Sequence, residues 1–183
     1  TCSDKAGNVS APASFGPFKY DDTAPAVTAA AARGPDNNGW YNAPVGISWS
    51  GTDAMSGIDA CTAPLTYSGP DTKNASSAGS CTYKAGNTGT PAQVSIKYDA
   101  TPPVATVAPD RGTDANGWYN HGLTISWSSS DPVSGIAFCS STTYTGPDNA
   151  GVGRSGTCTD GAGNTSAPVA FGFRFDATPP TGV

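Results

Sequence analysis

The chain contains no glutamate: all fourteen of its acidic side chains are aspartate, and charged residues make up only 13% of the 183. That absence excludes an EF-hand loop, which closes on a bidentate glutamate. Long segments free of both glycine and proline are missing too, none exceeding ten residues. A helix of ordinary length has no place to form, so helical bundles, coiled coils and βαβ folds fall away. No apolar run approaches the roughly 20 residues that cross a bilayer as a helix, and no basic start with an apolar centre opens the sequence. A soluble, mature or excised segment is expected, with no membrane insertion. Histidine occurs once, as His121. No motif sets a base beside a serine or cysteine nucleophile, so no catalytic residue is assigned and no enzyme is expected. A net charge of −5 and an isoelectric point near 4.5 argue against nucleic acid, which needs a basic footprint. Partners should be neutral, cationic or metal ions.

What the sequence has in abundance is itself. Asn38-Gly39-Trp40-Tyr41-Asn42 returns as Asn116-Gly117-Trp118-Tyr119-Asn120, and Ile47-Ser48-Trp49-Ser50 as Ile125-Ser126-Trp127-Ser128, an offset of 78. Asp53 returns as Asp131, Ser56-Gly57-Ile58 as Ser134-Gly135-Ile136, and Cys61 as Cys139; Cys81 matches Cys158 after one deletion. Ala-Gly-Asn occurs three times, at 6–8, 85–87 and 162–164, and so do the closing segments Lys19-Tyr20-Asp21, Lys97-Tyr98-Asp99 and Arg174-Phe175-Asp176. The expected organisation is the end of a truncated preceding repeat over 1–22, whole repeats over 23–100 and 101–178, and the start of a further linker over 179–183.

Within each copy the apolar period is two. Val45, Ile47 and Trp49 alternate with polar or small residues, as do Leu123, Ile125 and Trp127, and Phe171, Phe173 and Phe175. Half-buried strands separated by turn clusters such as Gly34-Pro35-Asp36-Asn37-Asn38-Gly39 predict an all-β sandwich of about seven antiparallel strands per copy. Spacings of 20 and 19 residues between cysteines lack the close ligand pair of a metal site. They predict the disulfides Cys61–Cys81 and Cys139–Cys158, and hence an oxidising, extracellular setting. Cys2 stands where a copy has its second cysteine, so its partner is expected upstream and it is unpaired in this chain.

The order N-G-W-Y-N, S-G-I, Cys, Cys, A-G-N and Y-D-x-T-x-P resembles the tandem immunoglobulin-like (Big-type) repeats of bacterial secreted and cell-surface proteins, over the whole chain. The resemblance implies immunoglobulin-like sandwiches in series. In that topology the B–C and F–G loops lie at the end where the chain enters, so Asp131 and Asp160 should converge with Asp99 of the entering linker. Oxygen-only donors at a joint suit calcium. At the first joint the counterparts are Asp53, Tyr83 and Asp21 with Asp22, so one carboxylate is lost to Tyr83 and these aspartates are the weaker candidates. The competing reading is that such aspartates only cap turns.

A non-enzymatic extracellular stalk is the leading expectation, with Pro-containing joints that space an adhesive or catalytic head. A second is a carbohydrate-binding accessory module of a secreted hydrolase, stacking glycan on Trp40 and Trp118. A third is a filament subunit that completes a neighbouring molecule by strand addition through residues 1–20. Partners would then be adjacent repeats of the same chain, a glycan or another surface protein, or copies of the chain itself.

Overall fold

The structure is a computed structural model that describes residues 1–182. Its regular elements are sixteen strands, with no helix among the described residues. The first copy carries β1 (Ala26–Ala31), β2 (Trp40–Tyr41), β3 (Val45–Thr52), β4 (Ile58–Cys61), β5 (Leu65–Tyr67), β6 (Thr72–Gly79), β7 (Cys81–Tyr83) and β8 (Ala92–Tyr98). The second repeats the series as β9 (Thr106–Pro109), β10 (Trp118–Tyr119), β11 (Leu123–Ser128), β12 (Ile136–Cys139), β13 (Ser141–Tyr144), β14 (Asn149–Gly156), β15 (Cys158–Asp160) and β16 (Val169–Phe175). Each copy is a β-sandwich. In the first, the sheet β1-β3-β5 faces the sheet β2-β8-β6, and β4 pairs with β7; the second copy has the corresponding three groupings.

Eight strands per copy stand where about seven were expected, and one pairing in each copy is parallel. The additional strand is the Trp-Tyr dipeptide, which runs beside the closing strand with Trp40 opposite Lys97 and Tyr41 opposite Tyr98. Its counterpart sets Trp118 opposite Arg174. A turn produces this arrangement. Asn38 and Gly39 both have positive φ, 47° and 81°, as the two central positions of a type I′ turn require, and the Trp40 N–H closes it onto the Asn37 carbonyl at 2.7 Å. Two residues are too short to register as a strand in a period-two pattern, and for that reason the sequence did not show it.

The alternating residues fill the interiors as expected. Val45, Ile47 and Trp49 are buried in the first copy; Leu123, Ile125, Trp127, Phe173 and Phe175 are buried in the second. Each core tryptophan has its indole N–H satisfied, Trp49 by the Ala92 carbonyl at 3.0 Å and Trp127 by that of Val169 at 2.7 Å.

The cysteines bond as predicted, Cys61 to Cys81 and Cys139 to Cys158. In each case the two residues lie directly opposite one another in an antiparallel pair, β4 with β7 and β12 with β15. The bond therefore ties neighbouring strands within one pair. Cys2 is free and exposed.

Residues 1–22 differ from a finished repeat. Their A-G-N turn is formed, with Asp4 Oδ1 accepting the N–H groups of Ala6 and Asn8, and Ser3 bridging Val9. Residues 10–25 make no strand, and Phe15, Phe18 and Tyr20 are 99%, 87% and 72% exposed. These positions correspond to β8 and β16, whose apolar faces are covered by their own sandwiches; here no ladder partner faces them.

Candidate functional site at the second joint

Three carboxylates converge where the first copy enters the second. Asp99, Asp131 and Asp160 each offer an oxygen, and these oxygens all lie within 4.8 Å of one another. Donors that share one calcium ion at roughly 2.4 Å cannot stand more than about 5 Å apart, so the spacing suits a single hard cation.

Each aspartate reaches the joint for a local reason. Asp99 follows β8 and continues its parallel pairing with β2, since its N–H donates to the Tyr41 carbonyl at 2.9 Å. Asp131 lies in the loop after β11, where its Oδ1 accepts the N–H groups of Val133, Ser134 and Gly135 at 2.7–3.0 Å. Asp160 ends β15, and its Oδ1 accepts the N–H groups of Ala162 and Asn164 at 2.9 and 2.8 Å. The turn-capping role is thus real for Asp131 and Asp160. It accounts for only one oxygen of Asp99.

Asp99 is completely buried, and although its Oδ1 accepts the Thr101 N–H, its Oδ2 has no hydrogen-bond partner. Leaving a buried carboxylate oxygen bare costs on the order of several kcal/mol. Asp160 is also completely buried. Burial pushes the Asp99 carboxyl above the usual carboxylate range, against the opposing pull of the Ser134 hydroxyl and the Thr101 N–H and with a smaller push from the charges of Asp131 and Asp160. Two like charges at this separation repel by roughly 3 kcal/mol at an effective dielectric of about 20, an arrangement that a divalent cation reverses. The donor set is all oxygen, with no imidazole or thiolate, and it is largely shut off from water. Magnesium tends to keep several waters, whereas calcium accepts more protein oxygens, so calcium fits these residues better.

Asparagines close the joint around the cluster. The Asn164 amide donates to the Asp99 carbonyl at 2.8 Å and to Asp160 Oδ2 at 2.9 Å. From the first copy, Asn37 donates to the Gly161 carbonyl and Asn42 to that of Ala162, both at 3.1 Å. In the sequence, A-G-N and N-G-W-Y-N read only as repeat markers and turns. The signal for more was their recurrence: two asparagine-bearing turns of fixed order, one at each end of a copy, would meet when copies stack end to end.

The first joint has the same plan and a different filling. The Asn87 amide donates to the Asp21 carbonyl at 2.9 Å, as Asn164 does to Asp99. Asp53 Oδ1 accepts the N–H groups of Met55, Ser56 and Gly57; these bonds, led by that of Gly57, hold its carboxyl below the usual range. Asp21 is only half-buried and its Oδ2 accepts the Ser56 N–H at 3.1 Å. Asp22 is exposed and accepts the Tyr20 hydroxyl. Tyr83, opposite Ile58 as Asp160 is opposite Ile136, is buried.

The other candidates lie elsewhere. Trp40 is 8% exposed with Lys97 Nζ over its ring at 5.8 Å, and the half-buried Trp118 has the Arg174 guanidinium over its ring at 5.9 Å. Ahead of the Trp-Tyr strands, Asp36 (in Asp36-Asn37-Asn38-Gly39) and Asp114 (in Asp114-Ala115-Asn116-Gly117) pair with Arg33 and Arg111 at 2.7 and 2.6 Å, so these turn carboxylates are already neutralised.

No helix among the described residues is long and apolar enough to cross a membrane. No protein-family model matches the chain, and no curated protein matches it. Among solved structures, the fibronectin(III)-like modules of Clostridium thermocellum CbhA match at 12% identity with a TM-score of 0.39, covering 83% of this chain and 95% of the other.

Proposed function

We propose that this chain is a section of an extracellular, non-catalytic array of immunoglobulin-like modules, divided near residues 22 and 100, which spaces or presents another domain and whose second joint is stiffened by calcium. The single observation that carries the reading is the bare, fully buried Asp99 Oδ2 among three carboxylates contributed by the linker and two loops of the following copy. An ion bound there ties the linker to both loops at once and removes the bending freedom between the copies. The disulfides, one per copy, support an oxidising extracellular location. Small-angle X-ray scattering of the full chain tests the stalk reading. Adding calcium to chelator-treated protein should narrow the distribution of interdomain distances and raise the maximum dimension; identical profiles with and without calcium would contradict it.

Glycan stacking receives less support, because Trp40 is buried and both tryptophan rings already carry a cation. The exposed Phe15, Phe18 and Tyr20 favour a second reading for residues 10–20: a strand that completes a sandwich, either of the preceding repeat or of a neighbouring molecule. Sedimentation velocity over a concentration series separates the two. Growth of higher species that Phe18→Ser abolishes would favour the neighbour.

A further inference from the structure

The two joints share a backbone plan, and among their differences one adjacent pair of residues lies at the corner itself. Where the second joint has Asp160-Gly161, the first has Tyr83-Lys84. At this pair the first joint loses a carboxylate and gains a lysine, while its linker carries Asp22 where the second has Ala100. We infer that the first joint is built to close without an ion, the buried ring of Tyr83 occupying the place of the Asp160 carboxylate, so that calcium stiffens this array at its second joint only. The inference rests on the calcium reading of the second joint.

Three further observations support it. The first is the fate of the linker carboxylate: Asp99 Oδ2 is buried with no partner, whereas Asp21 Oδ2 is already bonded to the Ser56 N–H. The linker carboxylate of one joint has a free oxygen and that of the other is bonded to the 53–57 loop; the bare buried oxygen of the first joint is instead the neutral Tyr83 hydroxyl, a far weaker calcium donor than a carboxylate. The second is volume. Tyr83 is 1% exposed, so its ring fills the space between strand and loop that the shorter Asp160 leaves to its oxygens and to an ion. The third is the approach of the loop. A Cβ at Gly161 would fall 2.4 Å from the Ser134 carbonyl oxygen, so glycine is what lets the 131–135 loop press against the 160–161 corner. Lys84 carries a full side chain at that corner and lines a cleft together with Asp21 and Ser56. Both corners keep the same backbone bond, from the Lys84 N–H to the Gly57 carbonyl at 3.1 Å and from the Gly161 N–H to that of Gly135 at 2.8 Å. The shorter contact belongs to the glycine.

Calcium sensitivity at a given joint is then set by two neighbouring residues of the entered copy, without change of fold. The tail carries one residue of each kind, Asp4 as at 160 and Lys5 as at 84, and Asp4 makes the hydrogen bonds of Asp160: its Oδ1 accepts the N–H groups of residues 6 and 8 and its Oδ2 accepts the Asn8 amide.

The test is the stoichiometry of calcium binding to the full oxidised chain, measured by equilibrium dialysis with isothermal calorimetry. The wild type should bind one equivalent, Asp131→Asn should bind none, and Asp53→Asn should still bind one. The double variant Tyr83→Asp/Lys84→Gly should bind two. Two equivalents in the wild type, or loss of the single site in Asp53→Asn but not in Asp131→Asn, would overturn the inference while leaving calcium in the array. A folded double variant that still binds one would also overturn it. Zero equivalents in the wild type would instead defeat the calcium reading and the inference with it. The conservative asparagine variants keep the test decisive should the double variant fail to fold.

Discussion

The Asn164 side-chain amide donates to the Asp99 main-chain oxygen at 2.8 Å, across 65 residues of sequence and from one copy of the repeat to the linker that leaves the other. Because the same amide also holds Asp160 Oδ2, this one residue ties the Asp160 carboxylate to the linker backbone at Asp99. Asn164→Ala should therefore act on the joint and not on either core. Losing two hydrogen bonds to partly buried acceptors is expected to cost about 1–3 kcal/mol. Calcium affinity should fall together with the melting temperature of the calcium-loaded chain, while the chelated chain should lose less. An equal loss in both states would place Asn164 outside the site.

Gly156 sets a limit on the second core. A Cβ there would lie 2.5 Å from the Trp127 ring, closer than any relaxed contact allows, and Gly79 stands in the same relation to Trp49. Gly156→Ala should destabilise by about 1–3 kcal/mol through overpacking, read from urea unfolding. Gly153→Ala on the same strand meets no atom within 4 Å and should change stability far less.

Acid should loosen the N-G-W-Y-N hairpin of the second copy in a defined range. Two guanidinium nitrogens of Arg111 bond Asp114, and the Asn120 N–H adds a third contact, which together hold the carboxyl at about 2. A carboxyl depressed on folding contributes stability that is present above its unfolded value, roughly 4, and is lost as pH falls through its folded value. The wild type should melt higher than Asp114→Asn at pH 6, and the gap should close between about pH 4 and pH 2. A gap that is unchanged at pH 2 would show that the ion pair contributes nothing.

Much of this architecture was legible from repetition. Two copies gave the strand phase of Val45, Ile47 and Trp49 and the disulfide pairs, whereas the convergence of Asp99, Asp131 and Asp160 was implied by the resemblance to immunoglobulin-like repeats. Two kinds of information were not legible. The short parallel strands at Trp40–Tyr41 and Trp118–Tyr119 depend on a pairing between segments far apart in sequence, which a local period cannot report. Burial of Asp99 was hidden as well: sequence alone showed a linker aspartate, and only the closure of Asn164, Asn37 and Asn42 around it turns a linker position into an interior one.

The disulfides should matter in proportion to the small size of each copy. Closing loops of 20 and 19 residues is worth about 3 kcal/mol each in the chain-entropy model, so reduction should lower the urea midpoint of both copies, and Cys139→Ser/Cys158→Ser should lower that of the second copy alone. Midpoints unchanged by reduction would show that packing alone holds these sandwiches.

Thermal unfolding of the oxidised chain in calcium and in excess chelator, for the wild type and for Asp131→Ala, tests the central claim most directly. A ligand that binds only the folded state at 100 times its dissociation constant adds about 2.7 kcal/mol, enough for a rise of several degrees. The account predicts that rise in the wild type and its loss in Asp131→Ala. Superimposable wild-type curves with and without calcium would contradict it.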